Sequence, residues 1–593
     1  MFKIISGVFL IIMASQSVTI EYKLSMPIPS NHLFEVEMTL SDISDKDDYI
    51  DFVLPVWRPG RYLIFDFAGG VQEFHAEDFN TQKTGWSKID KTTWRVQTKG
   101  MTNLHVTYKV FANDFANRTR GLNDEHAFVN SASVFMYVEK FRKLPLTLEV
   151  IPYQNWHVTT GLENADSDDF KFTAPHIDYF YDCPLEIGLQ KDYEFDVRGI
   201  KHVLSFYGDF GINIDTLIND CRKIIEYNFD FWGRVPYQKY IFITHLTTTG
   251  GGGTEHINST ILGFRPEALK TEKGYASYLR LISHEFFHTW NVKQLKPAGL
   301  TPYDYLKENY TGELWIVEGG TSYYDGLNVL RLGLMPYENF IKEIVNAVED
   351  DKRRPGNRVQ TVYESSFDAW IKFWKRMPNS YNAESDYYGK GSYVSMILDL
   401  EIRNATDNSA KLDDVYKLMF ERFPLDVKGY TNEDFKNTCE EVSAVQLDEF
   451  FDDYVYGTKP IDWEKELGYA GLELKSDDST MTPMVGIRAN RKGEKIIIDE
   501  VLSGSASEKA GLMSGDEIVA LDSVHLDYTE MDKRFSEMKT GDTVKLAVMR
   551  NNELRVFMLV LEEKKAANYS IIKTSTPTDL QRRIYESWLG VNW

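Results

Sequence analysis

The stretch Leu281-Ile-Ser-His284-Glu285-Phe-Phe-His288-Thr-Trp290 sets two histidines four residues apart, with an acid beside the first, inside a run that is otherwise almost wholly apolar. On a helix, residues four apart share a face. Both imidazoles can therefore reach one metal ion, with Glu285 beside its open position. Tyr278, Leu279, Leu281, Ile282, Phe286, Phe287 and Trp290 cover most of the remaining circumference, so the helix is expected to be buried. Histidines and a carboxylate in such a place need partners, and a metal supplies one. The competing reading is a chance match, with both histidines as satisfied core residues.

The 593 residues point to roughly three to five domains. A net charge of −23 argues against nucleic acid or an anionic membrane surface as a partner. Met1–Ser17 reads as an export signal: Lys3 gives a positive start, Ile4–Met13 is a short apolar run, and Ala14-Ser-Gln-Ser17 offers small residues for cleavage. That run is too short to span a bilayer, and no later one reaches the required ~18 residues. Cys183, Cys221 and Cys439 allow at most one disulfide. Asn-x-Ser/Thr sites occur at Asn117, Asn258, Asn309, Asn404 and Asn568. A glycan at Asn258 would obstruct the catalytic region, which favours a bacterial periplasmic or secreted setting.

The chain reads as a multidomain α+β protein. Residues 18–190 form a β-rich, sandwich-like domain, with strands expected at Thr19–Ser25, Leu33–Leu40, Thr93–Gln97, Leu104–Val110 and Leu146–Ile151. Trp57-Arg-Pro-Gly-Arg61-Tyr is taken as a surface turn in preference to a substrate rim. Residues 191–463 carry the catalytic domain, mostly helical after the strand Tyr240–Leu246. Gly250-Gly-Gly252-Gly253-Thr-Glu255 lacks the Gly-Lys-Ser/Thr ending of a phosphate loop. An edge strand whose bare backbone pairs with a peptide suits it better, with Glu255 directed into the cleft. A catalytic zinc takes three protein ligands. Glu318, alone among apolar neighbours in Leu314-Trp-Ile-Val-Glu318-Gly-Gly, is the third candidate. Asp325, on the same helical face, either orients a histidine ligand or is a plain surface residue. Asp386-Tyr-Tyr388-Gly-Lys-Gly391 offers a tyrosine at a turn before an apolar helix, where ordinary packing is the alternative. The cluster Glu349–Arg354 is read as solvated surface. Residues 467–563 resemble a PDZ domain, with Met484-Val485-Gly486-Ile487 as carboxylate-binding loop and a chain end as ligand. Residues 564–593 are expected to be a polar tail docked on the body.

Together, His284-Glu-Phe-Phe-His288-Thr-Trp-Asn-Val-Lys293, Leu314-Trp-Ile-Val-Glu318-Gly-Gly-Thr-Ser-Tyr-Tyr324 and Gly252-Gly-Thr-Glu255-His256 resemble the glycyl aminopeptidase family. These are PDZ-bearing metallopeptidases of the thermolysin-like gluzincin clan. Pro55-Val-Trp-Arg-Pro-Gly60 and Asp182-Cys-Pro-Leu-Glu-Ile-Gly188 are similar to that family too. The resemblance implies a thermolysin-like catalytic domain, one Zn²⁺ per chain, and release of small N-terminal residues such as Gly or Ala from peptides with a free amino terminus. It assigns His284, His288 and Glu318 as ligands, Glu285 as base, Gly252, Gly253 and Glu255 as substrate binders, and Tyr388 as the catalytic tyrosine. Thr254 stands where Met is common, and Ser322, not Asp, lies four residues after Glu318. A zinc endopeptidase and a silent peptide-binding scaffold are the rival readings.

Overall fold

The computed structural model describes residues 18–209, 211–425, 428–477, 485–561 and 568–593. Met1–Ser17 and Met484 lie outside these residues. The chain folds as a multidomain α+β protein with a β-rich N-terminal part, a largely helical middle and a C-terminal PDZ domain.

In Leu33–Ser41 every second residue is apolar, and Phe34, Val36, Met38 and Leu40 are all buried. A period of two sends them to one face of a strand. That strand sits within a seven-stranded sheet, flanked by Thr19–Ser25 and Asn103–Phe111. A five-stranded and a three-stranded sheet complete the N-terminal part. Trp57-Arg58-Pro59 is not a surface turn. Trp57 and Arg58 are fully buried, and Trp57 Nε1 donates to the Asp304 carbonyl of the middle region at 2.8 Å. The turn chemistry was visible locally, but the surface that covers it comes from a segment some 250 residues away.

The middle region opens with a five-stranded sheet: Lys191–Val197, Ile200–Tyr207, Lys239–Leu246, Ser259–Phe264 and, at the outer edge, Gly253–Glu255. The central three strands are parallel, and the outer two pair antiparallel. Parallel strands are covered on both faces, and Tyr240–Leu246 is accordingly buried throughout. Glu186 ties this sheet to the N-terminal part: it bonds His126 at 2.7 Å and His245 at 2.8 Å. Helices Glu272–Phe287, Gly320–Arg331 and Gly389–Ala405 pack beyond the sheet.

The cluster Glu349–Arg354 is not simply solvated. Asp351 is 1% exposed and accepts hydrogen bonds from Trp463 Nε1 at 3.0 Å and the Ile461 amide at 3.3 Å. The C-terminal segment docks on the body but is more than a polar tail. Asn568–Lys573 pairs antiparallel with Leu472–Asp477, and the helix Asp579–Leu589 follows with a Thr578/Gln581 capping box. Trp588 is fully buried, donating from Nε1 to the Tyr323 hydroxyl at 2.9 Å while its carbonyl accepts from Arg331. The PDZ sheet, in the order Ile487–Lys492, Lys495–Val501, Glu517–Leu521, Thr543–Arg550, Glu553–Val560, is therefore inserted between two segments that belong to the catalytic body. All three cysteines are buried and unpaired. Among the described residues no helix is long and apolar enough to cross a membrane.

Candidate active site

His284 lies on the last turn of the helix Glu272–Phe287 and His288 caps it. Their Nε2 atoms are 3.1 Å apart. Glu318 Oε2 stands 3.1 Å from His288 Nε2 and 3.8 Å from His284 Nε2. Glu318 sits in a π-helical turn, Trp315–Gly319, that feeds into Gly320–Arg331. Such turns recur at functional sites because the extra residue re-aims a side chain.

The outer nitrogens decide what the three groups can hold. His284 Nδ1 lies 2.9 Å from Asp325 Oδ2, and His288 Nδ1 lies 2.6 Å from the Asn291 carbonyl. Both partners only accept, so each Nδ1 carries a hydrogen. In the neutral rings, both Nε2 lone pairs then converge with the Glu318 carboxylate, with no proton between them. Three acceptors facing one another repel, and a cation satisfies all three. The charges of the three groups are strongly coupled. Burial opposes charge on His284, but Asp325 and Glu318 push its pKa up to about 10, so without a cation a proton takes its place between the ring and the Glu318 carboxylate. Burial likewise opposes ionisation of Glu318, yet the two histidines pull it down to about 2. The donor set fits a zinc ion.

The Trp-Asn-Val-Lys extension now has physical content. Trp290 Nε1 donates to the Arg234 carbonyl at 2.7 Å, and its ring stacks on Trp232. Asn291 Nδ2 lies 3.1 Å from the Ile316 and Val317 carbonyls, so one residue braces both His288 and the turn carrying Glu318. Lys293, 1% exposed, pairs with Asp182 of the N-terminal part at 2.9 Å. Asp325 is no surface residue: it is 5% exposed and links His284 to Arg280, which reaches on to Glu343. Asp325→Asn should weaken zinc binding about 10- to 100-fold, as loss of such an orienting carboxylate does. Competition against a chelating dye measures this, and unchanged affinity would remove Asp325 from the site.

Glu285 is 5% exposed and faces the edge strand. A Cβ on Gly253 would fall 2.2 Å from its carboxylate, so only glycine lets the strand pass this close. Burial pushes the Glu285 carboxyl up to about 7, against the pull of His284 and His288. Two residues on, Glu255 lies against Gly60, with Lys293 Nζ 3.8 Å from its carboxylate. Tyr388 arrives from the opposite side, at the N-cap of Gly389–Ala405, its ring centroid 6.4 Å from that of His284. Gly319 and Gly391 explain how it gets there. A Cβ on Gly319 would meet Gly391 Cα at 2.5 Å, so the Glu318 turn and this helix touch backbone to backbone. The structure thus brings His284, Glu285, His288, Glu318, Asp325, Tyr388, Glu255, Gly252 and Gly253 around one cavity of about 510 Å³. Val485, Gly486 and Ile487 lie elsewhere, at the edge of the PDZ sheet.

Comparison with known proteins accords with this geometry. Family models match the peptidase M61 N-terminal domain over residues 21–189, the M61 glycyl aminopeptidase domain over 277–394, and a PDZ domain over 483–561. The chain resembles the M61 glycyl aminopeptidase family in both its N-terminal and its catalytic region. An aminopeptidase N family protein from Idiomarina loihiensis is 28% identical to this chain, with 96% of this chain covering 100% of that one at a TM-score of 0.90. An M1 zinc metallopeptidase from Deinococcus radiodurans aligns with 75% of this chain and 95% of its own at 12% identity and a TM-score of 0.47. No curated protein matches the chain. The matched M61 domain model is that of an aminopeptidase, in keeping with a cavity built around His284, Glu285, His288 and Glu318.

Three arginines of the cleft escaped the sequence reading of their roles: Arg61, Arg118 and Arg280. Arg280 lay one turn before His284, where helical spacing could have found it. Arg118 stands inside the Asn117-Arg-Thr glycosylation pattern, and nothing local marks it as a cleft residue.

Proposed function

We propose that this metallo-aminopeptidase is exported and removes small N-terminal residues, such as Gly or Ala, from peptides. One observation carries the specificity for chain ends: the edge strand beside the metal-site residues ends at Glu255, where the cleft closes. Lys293 and Arg58, both buried, stand behind Glu255 and Thr254, so an incoming chain has no path beyond them. The Glu255 carboxylate then receives a free ammonium group through a charge-assisted hydrogen bond. Gly60, which lines the cavity against the Glu255 carboxylate, crowds the space for the first side chain.

His284, His288 and Glu318 hold one zinc in this reading. When bound, zinc supplies a Lewis acid toward the scissile carbonyl and makes water a better nucleophile. Glu285 accepts the attacking water's proton on its carboxylate and returns it to the leaving amine. Tyr388 donates its hydroxyl hydrogen to the carbonyl oxygen as charge develops there. The strand Gly253–Glu255, unpaired on its outer side among the described residues, aligns the peptide main chain. The PDZ domain offers a second peptide site: a groove of about 620 Å³ lined by Ile487, Tyr528 and Met531 faces Arg376–Pro378 of the catalytic body.

The test is a panel of Gly- and Ala-led peptides, free or N-acetylated, with and without a chelator. Free peptides should be cleaved, acetylated ones spared, and the chelator should stop the reaction. Glu255→Ala should remove most of the free-over-acetylated preference. Equal cleavage of both forms would establish the endopeptidase reading instead, and no cleavage would leave the scaffold. Export rests on Met1–Ser17, and a mature protein retaining Met1 would refute it.

A further inference from the structure

Arg61 and Arg118 enter the cleft from the N-terminal part, beside the glycine-rich edge. Among the described residues neither forms an ion pair. Among the described residues the Arg118 side chain donates only to the Gly251 carbonyl. Arg61 lies over the Trp374 ring, 4.4 Å from its centroid, and its Nε is buried without a hydrogen-bond partner. The chain holds 89 acidic residues against 66 Lys and Arg. In such a protein, carboxylates are plentiful, and two neighbouring guanidiniums left without one need an anion from outside. Burial holds Arg118 below its ordinary pKa, with Arg61 adding to that and Glu285 opposing it.

The strand gives the anion its place. A peptide with its ammonium at Glu255 and its first carbonyl beside His284 and His288 runs back past Gly253 toward Gly251. At roughly 3.3 Å per extended residue, its second or third residue reaches Arg118. Because Arg118 grips the Gly251 carbonyl, in the segment that leads into the strand, it lies at the level of the substrate backbone, not of a side-chain pocket. We infer that Arg61 and Arg118 form a carboxylate subsite that takes the C-terminal carboxylate of a di- or tripeptide, making short free peptides the preferred substrates. This rests on the aminopeptidase reading above.

Steady-state kinetics of the full-length zinc enzyme test it, using Gly-Ala and Gly-Ala-Ala as free acids and as C-terminal amides, and Gly-Asp-Ala amide. The wild type should favour acid over amide by about 30-fold in kcat/KM, mainly through KM, the scale of a hydrogen bond between charged groups. Arg118→Gln and Arg61→Gln should each bring that ratio close to one, by losing far more on the acid than on the amide. Among the described residues the Arg61 side chain makes no hydrogen bond, so its variant serves if Arg118→Gln disturbs the strand. Parity between acid and amide in the wild type would overturn the subsite while leaving the aminopeptidase intact. A preference for Gly-Asp-Ala amide over Gly-Ala-Ala amide, with acid and amide equal, would reassign the arginines to an acidic side chain and overturn it equally. Failure to cleave any free-amine peptide would sink the aminopeptidase reading and the subsite with it.

Discussion

Glu285→Gln lowers the turnover number by at least ~100-fold, the smaller end of what a positioned general base contributes, while the protein keeps its zinc and still binds peptide. The reasoning is geometric. Glu285 is the residue after His284, so the helix that presents the ligand also presents the base to the same cavity. Gly253 leaves room for the carboxylate and nothing larger. Glutamine fills that volume with the same shape, so packing and the strand position survive. It cannot take a proton, and no other carboxylate stands in its place: Glu255 is engaged with Lys293, and Glu318 faces the two histidines. Single-turnover kinetics with metal analysis on one preparation read both quantities. Near-normal turnover would place the base elsewhere.

Tyr388→Phe should cost roughly 100-fold or more in turnover, the loss typical of one preorganised donor to a developing oxyanion, with zinc content and substrate affinity nearly constant. Its neighbours are the controls. The Tyr387 hydroxyl accepts from Trp374 Nε1 at 3.1 Å in a fully buried position. The Tyr393 hydroxyl accepts from Asn357 Nδ2 at 3.1 Å, one turn into the helix. Both have structural partners; Tyr388 lines the metal-site cavity. Tyr387→Phe and Tyr393→Phe should therefore cost far less. Normal turnover in Tyr388→Phe beside a collapse in Tyr387→Phe would shift the assignment by one residue.

Local pattern carried much of this architecture. The alternation in Leu33–Ser41 and the apolar run Tyr240–Leu246 became strands because burial on one face or two is written in their period. His284-Glu-x-x-His288 was legible because a helix alone brings its parts together. What was not legible depends on distant segments. Asp351 became a buried acceptor because Trp463 settles on it, and a charged run gives no hint of that. Arg58 and Trp57 were hidden in a Pro-Gly turn whose cover arrives much later in the chain. The C-terminal residues looked polar because only Ile584, Tyr585, Trp588 and Leu589 of their helix are buried. Consequently, deleting everything from Leu467 onward does not test the PDZ domain alone, since it also strips Trp588 from behind the helix that follows Glu318.

The central claim is that His284, His288 and Glu318 hold a zinc that peptide hydrolysis requires. The most direct measurement is elemental analysis of purified wild type and His288→Ala, alongside turnover of a glycyl peptide. The account predicts about one zinc per chain in the wild type, as expected for a His/His/Glu site, and loss of both zinc and turnover in a folded His288→Ala. Full zinc retention in that variant, or undiminished turnover without metal, would contradict it.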